Sequence, residues 1–203
     1  MWNPFKKKDD TSNEVGTQSP QAPATQAAAT PTPEPAPAAP EPTPASPAAG
    51  GAGAEGLRAP VQGRLLPLDE VPDPVFAQRM MGDGFAVDPT SNVVCAPVAG
   101  ELMMVAPTAH AFAIRTRAGA EILVHVGLDT VNLKGSGFRV LCEEGSQLEA
   151  GEPVIEVDWE VVRPIVPAVV TPVVLTNGDA FAMSEPNLAA GEGEDVVTIT
   201  PRS

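Results

Sequence analysis

Two histidines, His110 and His125, are the only imidazoles in a chain of 203 residues. Both fall in "AHAFAIRTRAGAEILVHVGLDT", residues 109–130. Two imidazoles at one place could bind a metal. Zinc takes histidine readily, but a catalytic site needs about three protein ligands and a structural site about four. No third ligand has motif spacing, so Asp73 or Asp129 would have to close the set in space. The pair could also do acid–base work, because imidazole titrates near neutrality. One ring could be a nucleophile that forms a phosphoramidate through its nitrogen. The second would then donate to the oxygens of the transferred group. The remaining reading is two satisfied core histidines.

The residues around the pair favour chemistry. "GLDT" follows Val126 behind His125, and Gly127 offers backbone freedom and an accessible carbonyl beside the ring. A carbonyl that accepts from Nδ1–H fixes the tautomer and leaves Nε2 free as the nucleophile. Asp129 adds negative charge, and Thr108 offers a hydroxyl to either ring.

These side chains need elements to position them. "HAFAIRT" and "EILVHVG" flank "RAGA", with Gly119 as the turn residue, which reads as a β-hairpin. Side chains on a strand alternate between faces, so the pairing register decides whether the imidazoles meet. In two registers they share a face, with His110 opposite either His125 or Gly127. They are then ~5 Å apart when directly opposed, or ~7–8 Å apart as a diagonal pair. A slip of one residue sends them to opposite faces. A shared strand face for Thr108 and His110 is also expected.

The surrounding segment, residues 56–203, carries short Val- and Ile-rich runs such as "GELMMVAP" and "PVIEVDW", separated by Gly, Pro, Asn and Asp. That pattern predicts an all-β, antiparallel sandwich or barrel-like domain of short strands. Helix is limited to "PVFAQRMMG", with Pro74 in its first turn, and to "VDWEVVRPIVP", which Pro164 and Pro167 interrupt.

Upstream, residues 17–55 alternate Pro and Ala and lack Val, Ile, Leu, Met, Phe and Trp, so they have nothing with which to build a core. They read as a disordered linker, with polyproline reach on the order of 100 Å. Residues 1–16 form a short head. Its Trp2, Phe5 and Lys6–Lys8 suit a weak contact of residues 1–8 with an anionic membrane surface. The formal charge of −14 speaks against a nucleic-acid partner. Cys95 and Cys142 form no CxxC motif or disulfide framework. With no apolar leader and no membrane-length run, a cytoplasmic protein is expected, peripheral at the inner membrane face if the head makes contact.

The blocks "VPDPVFAQRMMGDGFAVDPTSN", "NVVCAPVAG", "HAFAI", "VHVGLDTVNLKGSGF", "EGSQLEAGEPVIEVD" and "TPVVLTN" follow one another over residues 57–200. In that order they resemble the glucose-type enzyme IIA component of the bacterial phosphoenolpyruvate:sugar phosphotransferase system. The resemblance implies an antiparallel β-sandwich and a phosphocarrier. His125 would accept phosphate at Nε2 from the small carrier HPr and pass it to the IIB domain of a membrane sugar permease. His110 would bind the phosphoryl oxygens and Thr108 would hydrogen-bond within the pair. Asp73 and Asp129 would be the acidic residues beside the site, and Phe76 and Phe112 apolar residues of the docking face. Val126 stands where the family often has Phe, which would trim that face. No cofactor is required, although zinc held by His110 and His125 with a partner's carboxylate stays open. Two other classes compete. One is a regulatory module that docks to transporters or kinases. The other is a zinc hydrolase, against which the missing HxH spacing speaks.

Overall fold

The computed structural model describes residues 53–202. The expected head and all but the end of the expected linker lie outside the described residues. Thirteen strands occur among the described residues. In chain order they are β1 (Glu55–Arg58), β2 (Gly63–Pro67), β3 (Asp83–Pro89), β4 (Val93–Cys95), β5 (Gly100–Val105), β6 (Ala111–Arg115) and β7 (Glu121–His125). There follow β8 (Phe138–Val140), β9 (Gln147–Leu148), β10 (Pro153–Val157), β11 (Thr171–Leu175), β12 (Phe181–Met183) and β13 (Asp195–Pro201). The first strand takes in Glu55, one residue before the boundary expected from composition. Its carboxylate accepts from Thr116 Oγ1 at 2.6 Å. The two helix-like stretches are single turns, α1 (Pro74–Ala77) and α2 (Trp159–Val162).

Seven strands form one sheet in the order β2-β3-β11-β7-β6-β5-β9. Two three-stranded sheets, β1-β13-β12 and β4-β10-β8, complete an antiparallel β architecture. The inner face of the large sheet contributes Phe85, Phe112, Ile114, Ile122, Val124, Val173 and Leu175 to the main core. Leu57, Val197 and Ile199 of β1 and β13, and Val94 and Ile155 of β4 and β10, fill it from the other side. Full burial of each such side chain contributes on the order of 1.5–3 kcal/mol. A second, smaller cluster forms around Leu66, Leu68, Val71, Phe76, Ala86, Leu128 and Val174, with Leu123 packed against it. Alternation explains the division. Val173 and Leu175 of β11 point inward while Val174 points to the second cluster, so every residue of this strand is buried.

The histidine hairpin, β6–β7, lies near the middle of this sheet. Its register is Ala111↔His125, Phe112↔Val124 and Arg115↔Glu121. This is neither of the two pairings that would align the histidines on one face; it is the slipped one. The cause is the turn. Thr116 N–H donates to the Ala120 carbonyl at 2.9 Å, so Ala120 pairs and only Arg117, Ala118 and Gly119 remain in the loop. Three-residue hairpin loops place their last residue in the left-handed region, and Gly119 has φ of 94°. An ideal Cβ built on Gly119 meets no atom within 4 Å, so a substitution there meets only backbone strain. Gly119→Ala should therefore cost about 1–2 kcal/mol of stability. Chemical denaturation should show the loss as a lower midpoint with an unchanged slope.

Candidate functional site

Residues Glu121, Leu123 and His125 of β7 face outward, opposite the buried Ile122 and Val124. The next residue, Val126, points inward and is completely buried, as is Phe112. Both were expected on an exposed docking face; both belong to the main core, because alternation turns them away from His125.

In the slipped register a straight strand would send His110 to the face opposite His125. The chain is not straight there. Residues 107–110 form the turn between β5 and β6, closed by Ala106 N–H to the Ala111 carbonyl at 2.8 Å. Inside it Ala109 N–H donates to Ala106 at 2.7 Å and takes a left-handed φ of 55°. His110 leaves this turn just before β6 begins; its carbonyl still accepts from Val126 N–H at 2.7 Å, but its ring lies beside that of His125. The two imidazoles meet edge to face, with centroids 5.2 Å apart and planes at 70°. Thr108 is likewise in the turn rather than on a strand. Its Oγ1 lies 2.6 Å from His110 Nδ1.

His125 Nδ1 lies 2.7 Å from the Gly127 carbonyl oxygen. A carbonyl only accepts, so Nδ1 carries the hydrogen and Nε2 holds the free lone pair. The carbonyl is aimed by a tight turn. Gly127 has φ of 73°, and an added Cβ would come within 2.7 Å of Thr130 Cγ2. Thr130, buried beneath, donates from Oγ1 to the Val126 carbonyl at 2.8 Å. Sequence reasoning missed Thr130; its signal was a hydroxyl four residues after Val126, within reach of a carbonyl left free by the turn.

The other flank of His125 is Phe76 of α1, with centroids 5.3 Å apart and planes at 61°. Phe76 is 6% exposed, so it packs on the imidazole rather than presenting a free surface. Asp73 caps α1, and its carboxylate accepts from Val75 N–H at 2.8 Å. Asp129 is exposed, in a left-handed conformation before the 3-10 turn Thr130–Leu133. The apolar side chains that these turns do expose are Val75, Met80, Met81 and Val131.

Burial pushes the His125 imidazole below its ordinary value. The bond to Gly127 opposes that shift, the neighbouring His110 adds to it, and Asp73 and Asp129 oppose it weakly. Burial also lowers His110. Among the described residues, no group of three or more His, Cys, Asp or Glu side chains is arranged to hold a metal ion.

The chain as a whole is similar to known proteins. The model for the phosphoenolpyruvate-dependent sugar phosphotransferase system, EIIA 1, matches residues 55–181. A PTS system glucose-specific EIIA component from Halalkalibacterium halodurans is 49% identical over 145 residues, covering 70% of this chain and 83% of that protein. The PTS system N-acetylglucosamine-specific EIICBA component of Klebsiella pneumoniae is 44% identical over 128 residues, which make up 63% of this chain but 20% of that longer one. The solved structure of glucose permease IIA from Mycoplasma capricolum aligns with a TM-score of 0.68 at 40% identity, over 71% of this chain and 95% of that one.

Both histidines should be neutral at pH 7 and titrate below the ordinary value of about 6.5 in NMR-monitored titration. Since the folded values lie below the unfolded one, the unfolded chain binds more protons between the two. Stability is therefore full above about pH 6.5 and falls as pH drops from there to the folded midpoints. His125→Gln should flatten part of that fall, read as the denaturation midpoint against pH.

Proposed function

Because the chain belongs to the EIIA 1 family of the phosphoenolpyruvate-dependent sugar phosphotransferase system, we propose that Nε2 of His125 carries the phosphoryl group in transit. The protein is a phosphocarrier of that system, and its family is one of phosphotransferase components. The donor is the phosphohistidine of HPr and the acceptor the IIB domain of a sugar permease. Relatives in which the EIIA part is one portion of an EIICBA chain support a IIB partner. Relatives named for glucose and for N-acetylglucosamine frame the sugars to test, and the permease selects between them. Among the described residues no helix is long and apolar enough to cross a membrane. We assign the transfer to the cytoplasm, where HPr operates.

The observation that carries this reading is the 2.7 Å contact between His125 Nδ1 and the Gly127 carbonyl. It leaves a neutral imidazole whose Nε2 lone pair can attack phosphorus in line. The P–N bond to the donor imidazole breaks as the P–Nε2 bond forms, and no proton need leave His125. Positioning and electrostatics are what such a transfer demands of a protein. His110, whose Nδ1 is engaged by Thr108, turns its other ring nitrogen to the oxygens of the transferred group. Asp73 and Asp129 favour a basic partner surface and repel the bound phosphoryl group, which keeps it transferable.

Incubation with phosphoenolpyruvate, enzyme I and HPr should give an acid-labile adduct on wild-type protein and none on His125→Gln. His110→Gln should still accept phosphate but pass it on more slowly, on the order of 10²–10³-fold for one lost oxyanion donor. Full labelling of His125→Gln, or no labelling of wild type, would remove the phosphocarrier role. Normal onward transfer by His110→Gln would remove the role given to His110.

A further inference from the structure

The carboxylate of Asp73 does more than add charge beside the site. Its Oδ1 accepts from Val75 N–H at 2.8 Å and from Phe76 N–H at 3.4 Å, which makes it the cap of α1. Pro74 occupies the first helical position, where a missing N–H removes no bond. A single helical turn has too few internal bonds to hold itself, so this cap and the packing of Phe76 define it. Phe76 is anchored in the second apolar cluster with Leu68, Val71 and Leu128. Its ring stands edge-on to His125 on one flank, while the ring of His110 stands edge-on as well. Nδ1 is tied to Gly127. The imidazole is thus fixed by one hydrogen bond and two rings, and one of those rings is set in place by Asp73.

We propose that Asp73 is a positioning residue: by capping α1 it holds Phe76 against His125 and keeps Nε2 aimed at the incoming phosphorus. This rests on the reading of His125 as the phosphoryl acceptor, and it separates two properties of one carboxylate. The charge acts on encounter with a basic partner and on the bound phosphoryl group. The cap acts on the geometry of the acceptor. Serine is a good cap without charge, whereas alanine is neither cap nor charge. Asp73→Ser therefore removes the first property alone and Asp73→Ala removes both.

The two variants, with Phe76→Leu, should be assayed at pH 8 with phosphorylated HPr as donor. Asp73→Ser should raise KM and show the change in kcat that loss of the charge alone produces. Asp73→Ala should raise KM similarly and lower kcat further, on the order of 10-fold below Asp73→Ser for a misplaced nucleophile. Phe76→Leu should lower kcat. The spectroscopic counterpart is the His125 Nδ1–H proton, which should be slow to exchange in wild type and Asp73→Ser, and broadened in the other two. If Asp73→Ala matches Asp73→Ser in both kcat and this resonance, the positioning role is overturned. That comparison stands even if Phe76→Leu does not fold. If wild type accepts no phosphoryl group, the phosphocarrier reading fails and the resonance comparison alone decides the positioning.

Discussion

The hydrogen bond from His125 Nδ1 to the Gly127 carbonyl is the constraint around which the site is built. An imidazole acts as a nucleophile only with one nitrogen unprotonated and exposed, and the two tautomers are otherwise close in energy. A carbonyl acceptor removes the choice. To point back at a ring two residues earlier, the chain must turn at once, through a left-handed residue at 127. The turn leaves the Val126 carbonyl for the Thr130 hydroxyl and sends Leu128 N–H to Ala168 at 2.9 Å. The run Val126–Thr130 is thus one device. Its glycine fits because Thr130 occupies the space a Cβ would need.

The same contact pulls the proton equilibrium in the opposite direction from burial. A carbonyl bonded to Nδ1–H favours the charged ring, as do Asp73 and Asp129, while desolvation disfavours it and is the larger effect. His110 pushes the same way as desolvation, and Phe76 supplies part of the covering surface. The carboxylates therefore leave the imidazole uncharged. In the proposed transfer they act on what approaches the ring and on what is attached to it.

Much of this was legible in the sequence, but not for the reasons parity suggested. The strands follow from alternating Val and Ile between turn residues, and the tautomer follows from Gly127. The histidine contact was expected from strand registers in which the rings share a face. The loop has three residues instead of four, because the Ala120 carbonyl and N–H both bond to Thr116. That single residue reverses the faces. The rings still meet because His110 sits at the exit of the β5–β6 turn, next to the left-handed Ala109, and keeps a single ladder bond, from Val126 N–H at 2.7 Å. A left-handed alanine carries no sequence signature, since only the closed turn around it makes the conformation worthwhile. The same parity places Val126 and Phe112 in the core: once His125 faces out, its neighbour and the residue opposite Val124 must face in.

This inward turn of Val126 and Phe112 moves the exposed apolar surface off the sheet and onto the short segments around it. Val75 and Met80 come from α1 and the residues behind it, and Val131 from the 3-10 turn after Asp129. His125, the proposed phosphoryl acceptor, is the last residue of a strand paired on both sides of its length. Rigid ladders hold a reacting atom to tolerances that loops do not. The exposed apolar side chains of these turns carry none of the hydrogen bonds that close them, so they can be exchanged. The residues that meet a partner can then change without shifting the imidazole, except where a turn residue also touches the ring. Phe76 is that exception, and the cap at Asp73 is what couples the changeable surface to the imidazole of His125.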